Sequence, residues 1–261
     1  MILDKIAAAA GERVAELKKK KSLAAVRGEA EAMPAGRDFA AALRGPGLGV
    51  IAELKKASPS KGLISPDFDD IYLEKAKAYE KGGAAAISCL TEPFYFLGGD
   101  EYLRQVRRTV GLPVLRKDFT VDEYQIYEAK TIGADAVLLI CSLLGPRQLQ
   151  EYLCLAGELG LAALTEAHDP REIDLALQAG AQIIGVNNRN LKDFTVNTGN
   201  SLSLRGLVPE DRIFVAESGI TCAADTVPLK EAGVSAVLVG EALMRAGDPA
   251  AMLREISGGE R

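Results

Sequence analysis

GADAVLLI, running from Gly133 to Ile140, decides how this chain is organised. Its apolar half, Ala136-Val137-Leu138-Leu139-Ile140, is continuous and short, as expected of a strand buried on both faces in a parallel sheet. The preceding DEYQIYEAKTI (122–132) carries a helical pattern, so Gly133 reads as the end of a helix that feeds a strand. Three further stretches repeat the design: GAAAISCL from Gly83, GAQIIGVN from Gly180 and GVSAVLVG from Gly233. The repeat is roughly 50 residues long, enough for a pair of strand–helix units.

Between these runs lie others of the same kind: VIAEL (50–54), PVLRK (113–117), LAALTE (161–166) and IFVAES (213–218). Interleaving the two sets predicts strands starting near 49, 85, 113, 136, 161, 183, 213 and 236. Helical patterns cover 67–81, 100–108, 122–132, 146–159, 170–179, 199–207, 222–232 and 248–256. This alternation predicts an α/β protein, a single (β/α)8 TIM barrel spanning residues 1–261. An open doubly wound sheet is the alternative, but it would more usually have fewer strands and a glycine fingerprint after the first, and no GxGxxG occurs near Glu53. Residues 1–45 carry apolar positions at helical spacing (Ile2, Leu3, Ile6, Val14, Leu17) and read as an N-terminal helical extension packed on the barrel.

Composition narrows the function classes. The 261 residues are 48% hydrophobic, with mean hydropathy +0.07, net charge −5 and a pI near 5.2. That supports a substantial core and argues against a chain-wide basic footprint, so neither nucleic acid nor membrane is expected as a partner. The opening MILDKIAAAAGERVAELKKKK lacks the order of a signal peptide, since its positive charge follows the apolar stretch. The run Lys18 to Lys21 reads as a solvated helix face. Cys89, Cys141, Cys154 and Cys222 are far apart, without CxxC or paired Cys/His spacing. They read as small hydrophobic fillers in a reducing, cytoplasmic protein.

In a parallel barrel the strand C-termini share one face, where catalytic groups gather. The predicted strands end in Glu53-Leu54-Lys55, Arg116-Lys117-Asp118, Thr165-Glu166, Asn187-Asn188-Arg189, Glu217-Ser218-Gly219 and Gly240-Glu241. Side chains alternate along a strand, so Glu53 and Lys55 point the same way. Carboxylates and ammonium groups converging on one mouth point to acid–base chemistry by Glu53, Lys55, Lys117 and Glu166; a ring of ion pairs is the structural alternative. Gly219 and Gly240 end strands seven and eight, a common phosphate cradle in barrels, and Ser58 in KKASPSKG adds a hydroxyl. Leu90, Phe94, Phe96 and Leu138 either wall a pocket for a planar aromatic group or are ordinary packing. His168, the only histidine, reads as opening a loop or helix, and Arg116 as a barrel ion-pair partner without an assigned role.

The stretches AELKKASPSKG (52–62), SCLTEPFYFLGG (88–99), LPVLRKDFTVDEYQIYEAKTIGADAVLLI (112–140), GVNNRNLKDFTV (185–196), AESGI (216–220) and VLVGEALM (237–244) closely resemble the indole-3-glycerol phosphate synthase family. The resemblance runs from the N-terminal segment to about Ile256. It implies a cofactor-free, metal-free lyase of tryptophan biosynthesis, acting on 1-(2-carboxyphenylamino)-1-deoxy-D-ribulose 5-phosphate. By motif, Lys117 resembles the family's general acid and Glu166 its general base, with Glu53 and Lys55 as a supporting pair. Asn187, Arg189 and Ser218 resemble substrate contacts; Ser58, Gly219, Gly240 and the Glu241 backbone resemble the phosphate site. Asn197 stands where the family commonly has Asp, which bears on the helix boundaries there and not on the site; Ser65 stands where a basic residue is common and is given no ligand role. The end at Arg261 leaves no room for a fused isomerase domain, and a monomer is expected. A related phosphoribosylanthranilate isomerase, a Schiff-base aldolase built on Lys117 and a non-catalytic interaction barrel are the competing readings.

Overall fold

The computed structural model describes residues 2–190 and 194–259. Eight strands close into a barrel: β1 (Gly49–Leu54), β2 (Ala86–Leu90), β3 (Val114–Lys117), β4 (Ala136–Ile140), β5 (Ala162–Ala167), β6 (Ile183–Asn187), β7 (Ile213–Glu217) and β8 (Ala236–Val239). Every neighbour pairs in parallel and in chain order, with β8 returning to β1. The repeated glycines account for the entry into four strands. Gly83, Gly133, Gly180 and Gly233 all have positive φ, and each donates its N–H back to the last turn of the preceding helix. Any residue with a Cβ would be strained there.

Period-two alternation sorts each strand into an outer and an inner set. Val50, Ala52, Ile87, Val114, Val137, Leu139, Ile184, Phe214, Val237 and Val239 face the helices in one apolar cluster. Ile51, Ala86, Leu115, Leu138, Ile140, Leu164, Ile183, Val215 and Leu238 fill the barrel. Leu138 therefore packs within the barrel interior. Phe39 and Leu43, on the short helix Phe39–Leu43, join that inner cluster with Ala85, just before β2, and Ala136, at the start of β4, closing the barrel at its N-terminal end.

The extension forms helices Ile2–Lys20, Leu23–Ala32 and Phe39–Leu43. Arg13 pins the first of these to buried Asp118 at 2.6 Å, just beyond β3. The lysine run is not uniformly solvated: Lys18 pairs with Asp122, the cap of helix Glu123–Thr131, at 2.7 Å, and Lys19 with Glu16. The expected helix over 222–232 divides into a 3-10 turn, Ala223–Thr226, and helix Val227–Glu231. Pro228 has no N–H to bond the preceding turn, so it begins a helix instead of continuing one. The stretch 199–207 likewise ends in a 3-10 turn at Arg205–Leu207, and an unexpected short helix, Glu241–Arg245, follows β8. Among the described residues no helix is long and apolar enough to cross a membrane.

Candidate active site

In five strands the inward series continues into a charged or small residue at the same mouth. Ile51 is followed two positions later by Glu53, Leu115 by Lys117, Leu164 by Glu166, Val215 by Glu217 and Leu238 by Gly240. Strand register then sets the partners. Ser88 lies beside Glu53 and its Oγ donates to Oε2 at 3.4 Å; Asn187 lies beside Glu217.

Lys117 Nζ stands 3.1 Å from Glu166 Oε2 and 2.8 Å from Glu217 Oε2. Burial disfavours its charge, but Glu217, Glu166 and Glu53 outweigh that and hold the ammonium well above the ordinary lysine range. Glu166 feels the reverse balance. Burial raises its pKa, while Lys117, His168 and the Asn187 amide, which donates to Oε1 at 3.1 Å, pull it well below the carboxylate range. Glu217 goes the other way: burial, helped by the neighbouring charge of Glu166, outweighs Lys117 and pushes it up to about 7. Its Oε1 is buried without a hydrogen-bond partner.

Lys55 Nζ meets Glu53 Oε1 at 2.7 Å, so these two do share a side. Glycines make room for the charged groups. A methyl on Gly240 would fall 2.5 Å from Glu53 Oε1 and 3.0 Å from Lys55 Nζ, and one on Gly185 would fall 2.2 Å from Glu217 Oε1. Gly240 is thus bare because the ion pair crosses it, a reason separate from any phosphate. Ser218 and Gly219 both adopt positive φ, +68° and +86°. Ser58 is buried on a small hairpin, Ala57–Ser58 with Gly62–Leu63, and its Oγ lies 3.5 Å from Ser60 Oγ. Lys61, on the same hairpin loop, reaches to 3.8 Å of Glu241.

His168 lies just before the cap of helix Pro170–Gln178, as expected, and its ring also reaches two carboxylates. Its Nδ1 lies 3.0 Å from Glu172, and Nε2, which has no hydrogen-bond partner, lies 3.3 Å from Glu166 Oε1. Burial works against the imidazolium, but the two carboxylates prevail and push its pKa up to about 10. A cavity of about 520 Å³ opens beside it, with Asn187, Arg189, Asn200, Ser142 and Leu3 among its walls. The Arg189 backbone N–H donates to Asn187 Oδ1 at 3.0 Å, fixing that amide.

The apolar side is smaller than expected. Phe96 packs at 5.9 Å on Phe119, which lies against the inner cluster two residues beyond Lys117. Leu90 is buried at the end of β2, whereas Phe94 is 63% exposed and Leu138 belongs to the barrel core. Arg116 points outward and is clamped by Glu128 at 2.8 Å and Asp100 at 3.0 Å, so it is structural. Sequence reading missed Glu217, His168, Phe119 and Gly185; for the first two the signal was parity with Val215 and Glu166.

A family model for indole-3-glycerol phosphate synthase matches residues 3–256. The chain belongs to the indole-3-glycerol phosphate synthase family. Indole-3-glycerol phosphate synthase of Ruminiclostridium cellulolyticum is 55% identical over 260 residues, covering 99% of each chain. That of Endomicrobium trichonymphae is 54% identical over 258 residues, covering 98% of this chain and 99% of the relative. The family comprises decarboxylating lyases of tryptophan biosynthesis. Among solved structures, 3-hexulose-6-phosphate synthase from Salmonella typhimurium superposes with a TM-score of 0.65 over 81% of this chain and 97% of that one, at 17% identity. That likeness shows the barrel fold alone.

Proposed function

We propose that this chain, a single-domain cytoplasmic monomer, closes the indole ring of 1-(2-carboxyphenylamino)-1-deoxy-D-ribulose 5-phosphate, releasing CO₂ and water to leave indole-3-glycerol phosphate. The observation that carries the reading is Lys117, held as a cation between two buried carboxylates at the barrel mouth. The aromatic carbon bearing the carboxylate attacks the ribulose carbonyl, and Lys117 donates its proton to the developing alkoxide. Loss of CO₂ restores the aromatic ring. Dehydration then needs a base to take a proton as hydroxide leaves. Glu166, kept ionised by its neighbours, suits that role, and Glu53 with Lys55 supports the reacting centre.

Acid catalysis accounts for about 10²–10⁴ of the acceleration. Positioning supplies more, because the flexible substrate must fold back on itself. In this reading Ser58, the Gly219 and Gly240 backbone and the Glu241 N–H anchor the phosphate, while Leu90 and Phe96, with Phe119, flank the aromatic ring. Asn187, Arg189 and Ser218 contact the polar middle of the substrate. The support is geometric: Ser218 and Gly219 turn the chain through two successive positive φ angles at the end of β7, and Lys61 draws the β1 loop towards Glu241.

The test is incubation with that substrate while following indole absorbance. The chain has no tryptophan, so product fluorescence is unobscured. Product should form with wild type and fall by about 10²–10⁴ with Lys117→Met. Undiminished turnover in the variant would remove Lys117 from the chemistry. A borohydride-stable adduct on Lys117 with a ketose phosphate would make it a Schiff-base nucleophile instead.

A further inference from the structure

Glu92 is a carboxylate that the reaction does not use, yet it is 1% exposed. Buried carboxylates are costly unless their oxygens are filled, and here backbone fills them. Oε1 accepts from the Phe94 N–H at 3.0 Å; Oε2 accepts from Tyr95 at 2.7 Å and Phe96 at 3.0 Å. Its own carbonyl accepts from the Gly98 N–H at 2.8 Å, so the chain turns fully around one side chain. The turn is tight: Leu97 is forced to positive φ, and a methyl on Gly98 would fall 2.3 Å from the Leu90 carbonyl oxygen. Its last bonded residue is Phe96, whose ring meets Phe119 and whose carbonyl accepts from Ala57 on the hairpin carrying Ser58.

We infer that Glu92 is a positioning residue for the aromatic side of the site: its carboxylate shapes the 94–98 turn and so holds Phe96 against Phe119. The inference rests on the proposed function, in which that ring pair flanks the substrate's aryl group. Three backbone donors converging on one charged acceptor make a rigid loop, and a rigid wall binds a planar ring without ordering itself first. A glutamine cannot replace it, because its amide NH₂ would face at least one of the three N–H groups.

The experiment compares KM for the carboxyphenylamino-deoxyribulose phosphate with inhibition by inorganic phosphate, which lacks the ring. Glu92→Gln should raise KM by about tenfold, as expected for loss of one charge-assisted bond, and leave phosphate inhibition unchanged. The double variant Glu92→Gln/Phe96→Ala should be no worse than Phe96→Ala alone, since both act through one ring. Penalties that multiply, or an equal loss of phosphate inhibition, would overturn the inference and make Glu92 merely structural. A normal KM in Glu92→Gln beside a raised KM in Phe96→Ala overturns it while leaving the aromatic wall in place. A normal KM in Phe96→Ala removes the wall and the inference together. Should Glu92→Gln fail to fold, Glu92→Asp keeps the charge on a shorter arm; the same selective rise in KM supports the inference, and an unchanged KM overturns it.

Discussion

Lys117 Nζ and Glu217 Oε2 lie 2.8 Å apart, although 100 positions separate the residues in sequence. The lysine is also shared with Glu166, so one ammonium serves two buried carboxylates. Attraction to the lysine and repulsion between the acids set the charge state of the whole mouth.

Removing the lysine therefore affects more than turnover. Lys117→Met leaves Glu166 and Glu217 buried without their cation, which raises both pKa values. A carboxylate whose folded pKa lies above its unfolded one loses stability as pH rises through that interval. The variant should thus melt closer to wild type at pH 5 than at pH 8, with a deficit on the order of 3–5 kcal/mol at the higher pH. A melting-temperature difference independent of pH would contradict the shared-cation arrangement.

Glu217 itself titrates near 7 rather than near the usual 4.5. Wild type should lose stability as pH rises between those values, because ionising the group costs more folded than unfolded. Glu217→Gln is free of that cost. Its melting temperature relative to wild type should climb from pH 4.5 to about pH 7 and then level off. A relative stability that falls over this range would reverse the assignment.

His168 also stabilises the fold more at low pH than at high pH. Its folded pKa of about 10 exceeds the ordinary 6.5, so its ion pairs contribute fully below pH 6.5 and fade as pH rises towards 10. Thermal scans of His168→Asn should show its deficit shrinking across that interval. A deficit that widens with pH would mean the imidazole is neutral beside Glu166.

Two glycines offer a steric contrast. Gly185→Ala drives a methyl to within 2.2 Å of Glu217 Oε1, so catalysis should collapse, with roughly 1–3 kcal/mol of stability lost through overpacking. Gly11 lies in the exposed middle of helix Ile2–Lys20 with nothing within 4 Å of an added methyl. Gly11→Ala should stabilise by roughly 0.5–1 kcal/mol and leave kcat alone. Denaturant melts and steady-state kinetics on both variants check the pair; a silent Gly185→Ala would displace Glu217 from the mouth.

Local pattern along the chain determined the order and kind of elements. The runs after Gly83, Gly133, Gly180 and Gly233 announce strands because an apolar stretch bounded by a helix-ending glycine has few other stable outcomes. The same parity that paired Glu53 with Lys55 was written into Val215-Ala216-Glu217 and Glu166-Ala167-His168. Nothing local distinguishes a glutamate that meets a lysine 100 residues away from one that meets water. Closure of the barrel decided that, by setting the register that brings β3, β5 and β7 to one mouth. It also assigned Phe119 to Phe96 and left Phe94 in solvent, because which ring meets which depends on a turn wrapped around Glu92. Pair energies and pKa shifts depend on distance and burial, and neither exists until strands far apart in sequence become neighbours.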